Sequence, residues 1–264
     1  MAAADTQAAG FEVRGLDYAI DGTTILSGLD LTIEPGSVTG LIGHNGSGKS
    51  TLVRILGRQL AATSGSVTFA GSPLSQWGER AFARSVAYLP QETGASVGLT
   101  VRELVGLGRY PWHGPLGRFG RTDHEKVAHA IERCGLETFA DRIVDTLSGG
   151  ERQRAWIAMT LAQDTGCLLL DEPTSALDIA HQIDVLGLIH RLCREKNMTG
   201  VVVLHDVNMA GRFCDRIHAL KGGRLVASGA PEAIMTPAQL GEIYGIEMQV
   251  MSHPTLGTPV ACAG

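Results

Sequence analysis

VTGLIGHNGSGKSTLVRILGRQL, residues 38–60, opens on a short apolar run, passes through a glycine-rich stretch and ends on helically spaced apolar residues. It reads as a strand over 38–43, a loop, and a helix over 50–60. Gly43, His44, Asn45, Gly46, Ser47, Gly48, Lys49 and Ser50 fit G-x-x-x-x-G-K-[ST] between strand and helix, the context that a phosphate-binding loop requires. Glycines let backbone N–H groups curl around a β-phosphate, and the helix N-terminus adds a favourable dipole. Lys49 would reach the β- and γ-phosphates of ATP, and the Ser50 hydroxyl would ligate Mg²⁺. The dinucleotide fingerprint G-x-G-x-x-G fails, because Thr51 stands where its last glycine belongs. A Rossmann oxidoreductase is disfavoured.

Composition narrows the rest. The 264 residues are 44% hydrophobic and 19% charged, which excludes disordered and fibrous chains and leaves room for a sizeable core. The 34 glycines follow no triplet period and so serve turns or close backbone approaches. A net charge of -5 speaks against nucleic acid as a partner. Only four of the 22 cations are lysines, and one of them falls in the phosphate loop. The five cysteines lack metal-ligand spacing and read as buried reduced thiols of a cytosolic protein. No run of 18 apolar residues occurs, so the chain is expected neither to be secreted nor to span a membrane by itself.

Outward from the loop, residues 1–10 read as a flexible tail, and 11–18 and 24–33 as antiparallel, partly exposed strands ending at the turn Glu34-Pro35-Gly36. Strands are also expected over 65–69 and 85–89. From about 100 to 163 the periodicity turns helical, over 100–107, 122–134 and 149–163, broken by RYPWHGPLGRFG at 109–120. Strand 167–170, helix 179–196, strand 200–204, helix 207–214 and strands near 216–220 and 224–228 follow. The pattern is α/β: a mainly parallel sheet with an antiparallel β part and a helical insert. Residues 11–264 are expected to form one domain, with 11–92 and 164–264 as the core and 93–163 as the insert.

Two further elements bear on phosphate. In CLLLDEP, 167–173, an apolar strand ends in two carboxylates. Asp171 at the strand tip could hold Mg²⁺, and Glu172, pointing the other way along an extended chain, could orient or deprotonate an attacking water. In LSGGERQR, 147–154, Ser148, Gly149 and Gly150 open a helix and form a second anion site, or a plain N-cap with Glu151 in the first turn. One nucleotide does not need two such sites, so the second would cap the γ-phosphate held by another copy of the chain.

GHNGSGKST, Gln91 after a strand, LSGGE, LLLDEP with Ser175–Asp178, and His205 occur in the order seen in ATP-binding cassette ATPases, which the chain resembles from about Phe11 to Tyr244. The resemblance implies a P-loop NTPase core. It assigns Gly43–Thr51 to the Walker A motif, Asp171 and Glu172 to the Walker B aspartate and catalytic glutamate, and Ser148–Glu151 to the signature. It makes Gln91 the Q-loop residue that touches Mg²⁺ and the transmembrane partner, His205 the switch histidine, Tyr18 the aromatic that stacks on adenine, and Asp178 the aspartate that links two sites across a dimer. Glu151 departs from the commonest signature glutamine, and is expected to tune activity without abolishing it.

One P-loop and no coiled-coil insert argue against the repair branches of the family. Leu107–Gly120, SGGERQRAWIAM and DEPTSALDIAHQIDVL resemble the ATPases of bacterial iron-siderophore importers, those for ferric hydroxamates above the others. That implies a homodimer closing over ATP, separate permease subunits, a periplasmic binding protein as indirect partner, and a place on the cytoplasmic face of the inner membrane. Vitamin B12, haem and ferric citrate stay open as cargoes, as does a soluble regulator without a permease. The loop 107–120 is an ordinary insert or a docking site whose Tyr110, Trp112 and Phe119 meet the permease.

Overall fold

The structure, a computed structural model, describes residues 9–92, 94, 96, 98–113, 117–175 and 177–263. Most of the expected tail, residues 1–8, lies outside them, as do 114–116 of the aromatic loop and Ala176.

Strands buried along their whole length belong in the middle of a parallel sheet covered on both faces. Three of this kind sit side by side: β3 (Val38–Ile42), β7 (Cys167–Leu170) and β8 (Thr199–Val203), each buried throughout. With β6 (Val86–Leu89), β9 (Arg216–Lys221) and β10 (Arg224–Gly229) they form a sheet in the order β10-β9-β3-β8-β7-β6, parallel except for the β9–β10 hairpin. Alternation sorts the side chains. Leu41, Leu169, Val201 and Val203 face a core shared with α1 (Lys49–Leu56) and the second sheet. Ile42, Leu168, Leu170 and Val202 face the opposite core with the longer helices.

The second sheet is antiparallel and runs β2-β1-β4-β5, made of β1 (Phe11–Ile20), β2 (Thr23–Ile33), β4 (Ser64–Phe69) and β5 (Ser72–Pro73). Its first strands alternate buried and exposed residues, as a one-sided sheet must. The expected strands near 65–69 and 85–89 therefore lie in different sheets, and helix α2 (Glu79–Ala83) stands between them.

The helical stretch holds α3 (Val101–Leu107), α4 (Tyr110–His113), α5 (Arg121–Arg133) and α6 (Gly149–Ala162). Thr100 and Glu103 close a capping box that starts α3. Within the described part of the aromatic loop, arginines anchor Trp112. Trp112 lies between the guanidinium groups of Arg84 and Arg109, 4.9 and 5.0 Å from its ring centre. Arg109 is itself buried, donating to Asp123 at 2.9 Å and to the Ala162 carbonyl at 2.9 Å.

Helix α1 ends at Leu56, earlier than the periodicity suggests, because Gly57 caps it and Arg58 takes φ 57°. Helices α7 (Ile179–Lys196) and α8 (Val207–Phe213) match their expected positions closely. Beyond Gly229 lie elements that periodicity does not announce: α9 (Pro231–Ile234), α10 (Pro237–Tyr244) and the hairpin β11 (Met248–Ser252) with β12 (Pro259–Ala263). Thr236 followed by Pro237, an N-cap and first-turn pair, was the available signal for α10. Four cysteines are buried free thiols as expected, but Cys262 is exposed at the end of β12.

Leu41 is fully buried on the central strand. Leu41→Ala is expected to cost about 2–5 kcal/mol in urea unfolding, since the strands on both sides keep the cavity from collapsing. A loss under about 1 kcal/mol would contradict that packing.

Candidate functional site: a phosphate cleft at the strand ends

The carboxyl ends of neighbouring parallel strands open into one crevice, the place where α/β sheets bind ligands. Here β3 delivers the loop 43–48, β8 delivers His205, β7 delivers Asp171 and Glu172, and β6 delivers Gln91. The cleft, of about 410 Å³, is lined by Ile25, Asn45–Thr51, Gln91, Glu172 and His205.

The loop is held open by glycines. Gly43 stands at φ 137° with the Leu220 carbonyl oxygen 2.0 Å from where a Cβ would sit, and Gly48 at φ 97° with Leu26 Cδ2 2.5 Å from its own. Gly46, at φ 76°, faces open space. From behind, the Gly223 N–H donates to the Ser47 carbonyl at 3.2 Å. His44 turns its ring away from the cleft, Nε2 meeting the Tyr244 carbonyl at 2.8 Å and so tying the loop to the end of α10.

Three features suit the loop to an anion. The N-terminus of α1 has no side-chain cap, so its first amides point outward unpaired. Ser47 Oγ is buried with no hydrogen-bond partner among the described residues. The Lys49 ammonium, buried among loop atoms, donates to the carbonyls of Gly43 and His44 at 2.9 Å each. Burial lowers its pKa, against the attraction of Glu172 and Asp171.

The carboxylates diverge as expected, though by a different route. Buried Asp171 accepts from Ser50 Oγ at 2.8 Å, and burial raises its pKa while that bond lowers it. Glu172 is not extended: it takes φ 49°, a left-handed turn uncommon for a non-glycine residue and costing about 1–3 kcal/mol. That turn aims Oε2 at Gln91 Nε2, 2.6 Å away, and at His205 Nε2, 2.7 Å away. Oxygen donors from Ser50 and Asp171 are the hard ligands Mg²⁺ takes.

Ser148–Gly150 do not line this cleft. Ser148 caps α6, accepting from the Glu151 N–H at 3.3 Å, while the Glu151 carboxylate accepts from the Ser148 N–H at 2.8 Å. Hydrogen bonding from Ser148, first from its backbone N–H and then from its side chain, holds the Glu151 carboxyl below the usual carboxylate range. Tyr18 is absent from the lining as well. It is half-buried on β1 opposite Leu26, next to Ile25, which does line the cleft. Asp178 caps α7, accepting from the His181 N–H at 2.9 Å.

The ABC transporter family model matches residues 26–175, more than half of the chain. The chain belongs to the ABC transporter family. It is 45% identical to the ferric enterobactin transport ATP-binding protein of Escherichia coli strain K12, over 90% of this chain and 88% of that one. It is 40% identical to the iron(3+)-hydroxamate import ATP-binding protein of Bacillus subtilis strain 168, over 94% and 92%, and 40% identical to the hemin import ATP-binding protein of Bordetella pertussis, over 93% and 95%. Among solved structures, a metal-chelate type ABC transporter in an inward-facing conformation superposes with a TM-score of 0.84 at 25% identity, covering 97% of this chain and 98% of that one. A dimeric bacterial ABC transporter cassette superposes at 0.74 with 27% identity, over 84% and 98%. The chain is an ATPase of the P-loop NTPase fold, and ABC membership entails ATP binding.

Gly43→Ala is expected to lower the melting temperature by several degrees, because a methyl group meets the Leu220 carbonyl in a strained backbone. Gly46→Ala carries the backbone strain alone and should cost less. Equal losses in thermal melts would remove the close approach at Gly43 as a cause.

Proposed function

We propose that this chain is the ATP-hydrolysing subunit of a bacterial importer for iron chelates of the ferric hydroxamate type. The observation that carries the hydrolytic reading is the single carboxylate oxygen, Glu172 Oε2, bonded from both sides by Gln91 and His205 at the mouth of the phosphate cleft.

In this reading the uncapped helix and the loop amides from Gly43 to Thr51 take the phosphates, with Asn45 at the cleft wall and Tyr18 beside the adenine. Lys49 exchanges two carbonyl oxygens for phosphate oxygens. Ser50, Asp171 and Gln91 would hold Mg²⁺, which when bound neutralises phosphate charge. Glu172 orients the attacking water and accepts its proton, while His205 fixes that carboxylate and stands ready for the γ-phosphate. Ser148, Gly149 and Gly150, facing away from the cleft of their own chain, cap the γ-phosphate of a second copy, so ATP closes a homodimer. Glu151 stays in this role through its capping box, which sets the Ser148 backbone.

No helix among the described residues is long and apolar enough to cross a membrane, so transport calls for separate permease subunits. We place the chain on the cytoplasmic face of the inner membrane, with residues 93–163 as the insert that moves against the core and Tyr110 and Phe119 as its contacts. Both are exposed, whereas Trp112 is engaged by two arginines. A periplasmic siderophore-binding protein would act through the permease.

In the purified permease complex, Glu172→Gln should bind ATP normally and hydrolyse it at least about a hundredfold more slowly. Undiminished turnover would take Glu172 out of this role. For the cargo, cells lacking the chain should regain uptake of labelled ferric hydroxamate with the wild type and not with Lys49→Ala. Rescue of vitamin B12, haem, ferric citrate or ferric enterobactin uptake instead would keep the ATPase and replace the cargo.

A further inference from the structure

The second signature glycine, Gly150, sits inside α6 at ordinary helical angles, so backbone conformation does not demand a glycine there. What demands it is a neighbour. A Cβ at Gly150 would stand 2.3 Å from Cδ2 and 3.0 Å from Cγ of His181, in the first turn of α7. That ring cannot swing aside freely, because its Nδ1 is held on Asp178 Oδ1 at 2.8 Å, the same oxygen that caps the helix. The residue before it follows suit: a Cβ at Gly149 would touch Leu177 at 3.6 Å. Gln182 adds a brace, its Nε2 donating to the Leu177 carbonyl at 2.9 Å.

We propose that His181 is a positioning residue for the hydrolysis reaction, a wedge that registers the signature loop at the head of α6 against Leu177 and Asp178 at the head of α7. The proposal rests on the ATPase reading above. One carboxylate oxygen of Asp178 fixes the ring, and the ring fixes how near α6 approaches α7. Ser148–Gly150, which serve the nucleotide of the second copy, are thereby set from the head of α7. Gly150 is glycine because the imidazole fills the space where its side chain would be.

The test is a pair of substitutions in the purified permease complex. Gly150→Ala should lower kcat for ATP by at least about tenfold through overpacking, while ATP affinity of the isolated chain, set by its own phosphate loop, stays unchanged. His181→Ala removes the ring and should lower kcat several-fold without raising KM to match. Gly150→Ala combined with His181→Ala should return kcat to the level of His181→Ala alone, since the methyl group then has room. His181→Asn, which is short and can still bond Asp178, should recover part of the loss. A double variant as inactive as Gly150→Ala, with an unchanged melting temperature, would overturn the wedge and leave close approach to phosphate as the reason for the glycine. Wild-type complex without any ATPase activity that Glu172→Gln abolishes would instead sink the underlying function, so the two failures are distinguishable.

Discussion

Lys49 carries a positive charge into the protein and, among the described residues, is bonded there by two backbone carbonyls. Burying an ammonium without a bonded carboxylate is expensive, and the chain tolerates it because the nearest acids, Asp171 and Glu172, lie within electrostatic reach across the cleft. Much of the architecture keeps that arrangement standing. The central strand β3 must be buried on both faces to hold the loop rigid, and the strand order must bring β8 and then β7 beside it so that the acids arrive on the correct side. In the proposed reading, phosphate oxygens replace carbonyl oxygens around a cation already in position, and little reorganisation remains to be done.

A second constraint acts on Glu172. Two donors on one oxygen fix the carboxylate in a single orientation, and each comes from a different strand end. Gln91 follows β6, the edge strand from which the chain passes into the helical stretch, whereas His205 follows β8 in the middle of the sheet. Moving the helical elements relative to the sheet would therefore pull on Gln91 before it disturbed His205. The left-handed turn at Glu172 is accompanied by those two side-chain contacts, and the next residue, Pro173, is buried.

The phosphate loop and the two strand-end carboxylates were legible in the sequence because each is a local pattern in which apolar run, glycines and charged residues fall within a dozen positions. The parallel strands were legible for the same reason, as short runs rich in apolar residues. What was hidden depends on contacts between distant segments. Nothing near His44 says that its ring leaves the cleft for Tyr244, 200 residues away, and nothing near Gly150 announces His181. Glu172 was misread as extended because a left-handed non-glycine residue has no sequence mark. The hairpin β11–β12 is short and half-exposed, so it lacks the alternation that reveals a strand, and its attachment comes from Asn208, whose side chain bonds both the N–H and the carbonyl of Ala261. Cys262, next to that anchor, ends up in solvent although free cysteines are usually buried.

Cargo is invisible to this chain for a physical reason. The polar groups of the cleft suit phosphate, metal or water, chemistry that holds no record of a cargo, and the relatives are named for enterobactin, hydroxamate and hemin alike. Selectivity must reside where a chelate is touched, so whatever this chain contributes to it passes through the surface it offers a permease. Of the three aromatics in the loop around α4, Trp112 is committed to Arg84 and Arg109 and belongs to the frame. Tyr110 and Phe119 remain outside it, at 55% and 38% exposure, the latter with edge contacts to His113 and His124. In the proposed reading, this exposed aromatic pair is the surface that meets the permease. The same pair is too simple to recognise what the partner carries.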